Sequence, residues 1–260
     1  MYQNTNELEI ALLEYKRQFQ GNFGDKEKKV ALYKALKDLL HNELGGSYKI
    51  SKGFVLCGTQ SNPRISPLID MIIYQNSEIY NNDKFVIVES RQIKAIFTLI
   101  SSFKPSNFYS LITNLCKIKA NVGRNIFTGI ISYPCENGLS DDDFKEIKDR
   151  FEQKLQNTFD KNGVFVDCAS FSKIWFMRKE YRDEPNMDYL DTHSYDFYNL
   201  NLPYVNSVSS YKYLIGNLRM HLNLNTNGYF LHPESKQEVN QIKIALKRTL
   251  NVNQTIKEIK

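Results

Sequence analysis

One carboxylate, Asp70, stands inside the apolar run IDMIIY (69–74), and no other feature constrains the chain as much. Two further apolar runs flank it, Gly53–Gly58 and Ile93–Ile100, each rich in Ile, Val, Phe or Leu. Asn, Ser, Pro and Gly separate the three. Short β-branched and aromatic runs bounded by turn residues predict neighbouring buried strands. An Asp among them is costly unless it is paired, hydrogen-bonded or on a metal. Asp70 therefore marks either a site or a structural joint.

The rest of the chain supplies the cover such a sheet needs. Residues 6–20 carry Leu8, Leu12, Leu13 and Phe19 at helical spacing, and residues 26–44 carry Val30, Leu32, Tyr33, Leu36, Leu39 and Leu40. Asp25 is the expected N-cap of the second helix, and Gly45–Gly46 its end. Lysines 26, 28, 29, 34 and 37 line that helix and read as a solvated face or a phosphate-facing ridge. Strands are predicted at Tyr48–Gly58, Arg64–Gln75, Phe85–Val88 and Gln92–Ser101, the first two joined by a turn at Asn62–Pro63. A helix at 106–121, a strand at Ile126–Tyr133 and a helix from Ser140 to Asp160 follow. Val164–Cys168 and Lys173–Met177 read as a hairpin. Residues 178–204, rich in Tyr and acids, read as a loop. Helices are expected at 208–224 and 234–250. Helices alternating with buried strands predict an α/β fold, a mixed β-sheet flanked by helices. The expected organisation is an N-terminal helix over 1–23 and an α/β domain over 24–225 with 178–204 as a loop insertion. A C-terminal helix and tail cover 226–260.

Composition excludes several classes. Charged residues make up 24% and apolar residues 42%, so the chain is neither disordered nor membrane-spanning in bulk. The net charge of +5 permits a nucleic-acid partner without demanding one. Cys57, Cys116, Cys135 and Cys168 form no C-x-x-C pair and read as core hydrophobes of a reducing compartment. The early acids of MYQNTNELEIALLEYK read against a signal peptide, which points to a cytoplasmic protein with no membrane partner. P-loop, G-x-G-x-x-G, G-x-S-x-G and H-E-x-x-H motifs are absent from the sequence.

The order of elements around Asp70 resembles the PD-(D/E)XK (restriction-endonuclease-like) core. More narrowly, it resembles an uncharacterised bacterial domain family built on that core. The likeness starts at the Gly24–Leu40 helix and runs through SYKISKGFV (47–55). It is closest at SPLIDMIIY (66–74) and extends over FVIVESRQIKAIFTLISS (85–102). The resemblance implies a metal-dependent nuclease in which an Asp on one strand and a Glu on the next hold Mg or Mn. A Lys two residues beyond the Glu shares its face.

The implied site is incomplete in this chain. Thr98 stands at the position of the Glu, Ile100 at that of the Lys and Leu68 at that of a Gln before the Asp. Lys29 occupies the place of a helix Glu, with Glu27 the nearest acid. Asp70 is the surviving motif residue and, were the site active, its metal ligand. Glu89 and Lys94 are the residues that would complete a displaced site, although Lys94 lies about 13 Å along the strand from Thr98. The expectation is a catalytically degenerate protein with no cofactor, binding DNA or RNA, a partner protein or a second copy of itself, in bacterial defence or mobile-element biology. Lys117, Lys119 and Arg124 are its expected nucleic-acid contacts. Two alternatives remain: an active Mg- or Mn-dependent nuclease with a rearranged site, and an assembly subunit using its Tyr-rich segment.

Overall fold

The computed structural model describes residues 7–18, 23–59, 61–123, 125–133, 140–159, 165–171, 175–182, 191–200, 210–231 and 240–246 of the 260-residue chain. Helix α1 (Glu7–Gln18) and helix α2 (Asp25–Leu44) come first. In α2, Ala31, Leu32, Ala35, Leu36 and Leu40 are fully buried and recur every three to four residues, so one face is apolar throughout. Each buried Leu there contributes about 1.5–3 kcal/mol. The cap is Gly24 rather than the expected Asp25, which sits in the first turn as a favourable charge at the positive helix end. Gly45, at φ +71°, ends the helix in a backbone conformation that a side chain would strain.

Strands β1 (Lys49–Thr59), β2 (Asn62–Ile65) and β3 (Ile69–Tyr74) fold as one long hairpin. Strand β4 (Tyr80–Asn81) and strand β5 (Val86–Glu89) follow, and β5 runs parallel to β1 on its other edge. The two chains approach so closely there that a Cβ on Gly53 would fall 2.1 Å from the Val86 carbonyl oxygen. Strand β6 (Ile93–Ile100) lies antiparallel to β3 and parallel to β7 (Phe127–Ser132). Helix α3 (Pro105–Val122) makes the β6–β7 crossover, with Pro105 in its first turn, where a missing N–H is harmless. Helix α4 (Asp141–Phe159) opens with a reciprocal cap. Ser140 Oγ accepts from the Asp143 N–H at 3.1 Å, and Asp143 Oδ2 accepts from the Ser140 N–H at 2.9 Å.

Strand β8 (Cys168–Ser170) pairs with β9 (Trp175–Arg182), as the expected hairpin requires. Beyond it the expectations fail twice. Residues 178–182 and 191–199, expected as loop, are strand: β9 continues to Arg182 and pairs antiparallel with β10 (Asp191–Asn199). Tyr195 and Phe197 are fully buried, which the Tyr-rich composition concealed. After helix α5 (Ser210–His221), residues 240–246, expected within a helix, form strand β11 (Asn240–Leu246) against β10. Its Ile242, Ile244 and Leu246 alternate with Gln241 and Lys243, a period of two that outweighs the lysine spacing.

Among the described residues the sheet has eleven strands, in the order β11-β10-β9-β8-β7-β6-β3-β1-β5-β4, with β2 extending beside β1. Helices α1, α2 and α5 cover one face, packing on Met71, Ile73, Phe97 and Leu99. Helices α3 and α4 cover the other, packing on Ile72, Ile96 and Ile130. The architecture is the expected mixed sheet flanked by helices. No helix among the described residues is long and apolar enough to cross a membrane.

Candidate functional site around Asp70

Asp70 sits where two neighbouring ladders change. Between β1 and β3, Gly53 faces Ile69 and Ser51 faces Ile72, so Asp70 and Met71 together oppose Lys52. That extra residue is a β-bulge, a device that re-aims side chains. Between β3 and β6 the ladder runs as far as Met71 opposite Phe97 and stops before Asp70. The carboxylate fills the gap, with Asp70 Oδ2 accepting the Leu99 backbone N–H at 3.0 Å. Its other oxygen, Oδ1, receives the Lys29 ammonium from α2 at 2.8 Å. The Asp70 side chain is 18% exposed and that of Lys29 44%. Asp70 thus joins helix to sheet and closes the end of a ladder.

The other residues expected near it are arranged differently. Thr98 pairs with Ile130 and Ile100 with Ser132 on β7. Ile96, Ile130 and the partly buried Ile100 belong to the core under α3, and Thr98 alternates onto their face. Lys29, Asp70's partner, comes from the helix on the opposite face. Leu68 is 47% exposed at the start of β3. Glu27 lies back over the start of α2, where a Cβ on Gly24 would be 3.1 Å from its Oε2. Glu89 is ion-paired with Arg91 and stands on β5, separated from β3 by β1. Lys94 is at the opposite end of β6 from Leu99, about 17 Å away at the rise of a strand. Neither Glu89 nor Lys94 is brought to Asp70.

These residues do not fit a divalent ion. Both Asp70 oxygens are committed, one of them to a cation, and Thr98 and Ile100 supply a neutral hydroxyl and a hydrocarbon. Among the described residues no three His, Cys, Asp or Glu side chains cluster as a metal would need.

The expected nucleic-acid contacts separate as well. Lys117 is exposed on α3. Arg124 lies outside the described residues. Lys119 is the correction: it is 4% exposed and turned into the core, because it falls on the α3 face that carries Phe108, Ile112, Leu115 and Cys116. Its Nζ donates to Asp167 Oδ2 at 2.6 Å and to the Phe165 carbonyl at 3.1 Å. The same Asp167 oxygen accepts from the Thr128 N–H and hydroxyl, both at 2.8 Å, and Lys179 approaches Oδ1 at 3.5 Å. Burial pushes the Asp167 carboxyl up. The Lys119 and Lys179 ammoniums and the Thr128 bonds more than offset it, leaving the group below the usual carboxylate value. Burial likewise lowers Lys119, and Asp167 restores only part of the difference. Sequence reasoning missed this node, although VFVDC (164–168) places an acid in an apolar run just as IDMIIY does. Beside it, burial raises the Cys116 thiol to about 12. Cys57, Cys116 and Cys168 are free and buried, as expected of core hydrophobes, and Cys135 lies outside the described residues.

At the sheet end away from Asp70, a cavity of about 680 Å³ opens between β3, β6, α3 and α5. Gln75, Arg91, Lys94, Asn125, His221 and Asn223 contribute to its lining, and no acidic residue lines it.

No family model matches the chain, and no curated protein does. Solved structures do. Pseudomonas aeruginosa ATCC27853 NucC in its cAAA-bound form is 14% identical, with 82% of this chain and 87% of that chain covered at a TM-score of 0.54. Escherichia coli MS115-1 NucC in its cAAA-bound form is 14% identical, covering 82% and 86%, with a TM-score of 0.49. Its apo form is 13% identical, covering 82% and 90%, with a TM-score of 0.48. At such identity the likeness to the P. aeruginosa protein establishes the fold alone: a mixed α/β sheet flanked by helices, of the kind found in that NucC.

Proposed function

We propose that this chain is a catalytically silent nuclease-fold protein that binds nucleic acid without cutting it, in a bacterial defence setting. The observation that carries the reading is the Lys29 ammonium on Asp70 at 2.8 Å, at the sequence position where the resembling family has a second acid. Thr98 and Ile100 add to it, since neither side chain can hold a metal with Asp70 or supply a charge to a phosphate. The defence setting is what the sequence resemblance to the PD-(D/E)XK-based bacterial family implies. Exposed Lys117 and the lysines along α2 supply a sequence-independent attraction for a phosphate backbone. Of the Tyr-rich segment on which the assembly alternative rests, Tyr195 and Tyr198 are 0% and 4% exposed and offer no surface to a partner.

The test is a cleavage assay on plasmid, single-stranded DNA and RNA with Mg²⁺ and Mn²⁺, with mobility shifts run in parallel. The expected result is no cleavage by wild type and salt-dependent binding that Lys117→Glu weakens, lowering the slope of log affinity against log salt by about 1. Metal-dependent cleavage abolished by Asp70→Ala would mean an active, rearranged site and would overturn the reading.

A second reading concerns the cavity at the far sheet end. Lys94, with Arg91 beside it on its Glu89 partner, gives the cavity a basic wall that suits an anionic, phosphate-bearing ligand, and the P. aeruginosa NucC of similar fold is a cAAA-bound form. Titration calorimetry with cAAA should show saturable heat in wild type and a loss of it in Arg91→Glu/Lys94→Glu. Equal heats in the two proteins would exclude the cavity as the binding place.

A further inference from the structure

The geometry points to Lys29 as a built-in replacement for a metal ion: its ammonium takes the Asp70 oxygen that a divalent cation would need, so the site is complete without metal. The inference rests on the silent-nuclease reading and deepens it, from a site that lacks ligands to one whose cation is covalently part of the chain.

Three observations converge. The first is occupancy. Lys29 Nζ is 2.8 Å from Asp70 Oδ1, and a Mg²⁺ at its ordinary oxygen distance of about 2.1 Å would compete for the same lone pairs. The second oxygen already accepts the Leu99 N–H at 3.0 Å, so a metal there would have to share it with a backbone donor at the edge of the ladder. The second is charge. Asp70 and Lys29 cancel, so an arriving divalent ion meets no net negative charge. Lys26 and Lys28, in the same stretch of α2, are offset by Asp25 and Glu27, and Lys52, opposite the bulge, is a further cation. The third is rigidity. Lys29 is held by a helix whose Ala31, Leu32, Ala35 and Leu36 are fully buried, and Asp70 by a bulge, so the pair is set by the fold rather than by chance rotamers. A phosphodiester approaching this place meets a carboxylate already neutralised and needs no metal bridge.

The decisive experiment measures Mn²⁺ binding by electron paramagnetic resonance of the free ion, on wild type, Asp70→Asn, Lys29→Glu, Lys29→Gln and Lys29→Glu/Asp70→Asn. Circular dichroism checks the fold of each. Wild type should show no Asp70-dependent Mn²⁺ binding. Lys29→Glu places a second carboxylate against Asp70 and should bind Mn²⁺ at least about tenfold more tightly, since cation affinity follows ligand charge. Adding Asp70→Asn should abolish the gain. Should Lys29→Glu fail to fold, Lys29→Gln, which only removes the competing cation, should still bind more tightly than wild type. Mn²⁺ binding by wild type that Asp70→Asn removes would overturn the inference, and so would folded Lys29 variants with wild-type affinity. If wild type binds Mn²⁺ at Asp70 yet cleaves nothing, only this inference falls. Asp70-dependent cleavage would remove the silent-nuclease reading with it.

Discussion

Removing Asp70 should destabilise the protein, and the sign of that effect separates a structural joint from a working active site. Asp70→Ala deletes the acceptor of the Leu99 N–H. A hydrogen bond to a charged group contributes about 1.5–3 kcal/mol, and the orphaned donor costs a similar amount if water cannot reach it. The Lys29 pair adds less: with Lys29 44% exposed, solvent screening limits it to about 1 kcal/mol at most. The sum is about 2–4 kcal/mol. For a chain of this size each kcal/mol moves Tm by about 2–4 °C, so Asp70→Ala should melt roughly 4–16 °C below wild type. Asp70→Asn keeps an oxygen for Leu99 and loses only the charge, so it should fall by less than half as much. Lys29→Met should fall least. Differential scanning calorimetry gives the order, and urea titration with unchanged m-values would show that one transition is being compared. An Asp70→Ala protein as stable as wild type, or more stable, would refute the reasoning. Carboxylates held ready for catalysis commonly cost stability, and their removal then raises Tm.

Three further outcomes follow from the geometry. Asp167→Asn should cost about 3–5 kcal/mol in urea unfolding, because it strands the buried Lys119 ammonium; Lys119→Met should cost less, since Lys179 and Thr128 still hold the carboxylate, and the double variant should cost less than the sum of the two. Asp167 also sets an acid limb: its carboxyl is lower in the folded state than its unfolded value of about 3.9, so its contribution is whole above that pH and lost as pH falls through the folded value. Asp167→Asn should flatten that part of a stability–pH curve, and an unchanged acid limb would show that the node does not govern it. Gly53→Ala should lower stability by about 1–3 kcal/mol or more, since its Cβ would sit 2.1 Å from the Val86 carbonyl oxygen in the parallel β1–β5 pair.

Much of the fold was legible because the signals were local. The β1–β2 hairpin, whose reversal falls between Thr59 and Asn62 and so just before the expected Asn62–Pro63, the crossover helix after β6 and the Ser140 cap each follow from a few neighbouring residues. The misreadings came from judging composition before period. In DTHSYDFYN (191–199) the acids and tyrosines suggested an exposed loop, yet Tyr195 and Phe197 sit two apart, and both are fully buried. In NQIKIAL (240–246) the lysines suggested a helix face, while the apolar residues keep a strict alternation. Lys119 was read as a surface cation because lysines usually are. Its position four beyond Leu115 and three beyond Cys116 already placed it on the apolar stripe of α3.

The two acids in apolar runs explain what sequence reasoning can and cannot reach at a site. Asp70 and Asp167 gave the same signal, a carboxylate where a sheet should be dry, and both resolve the same way: a lysine from a covering helix and a backbone N–H from the adjacent strand. The sequence shows that each acid needs a partner, because an unpaired one is too costly. It does not show which partner, because Lys29 lies 41 positions before Asp70 and Lys119 48 before Asp167, and only the fold closes those distances. The difference between them is exposure. The Lys119–Asp167 pair is shut in, with Lys119 at 6% side-chain exposure, and serves stability alone. At Asp70 the pair opens toward solvent through Lys29, so the same device that satisfies a buried acid also presents an already neutralised ion pair to whatever approaches. The Asp70 pair is therefore the place where the structural and functional readings of this chain meet, and the Lys29 variants test the two together.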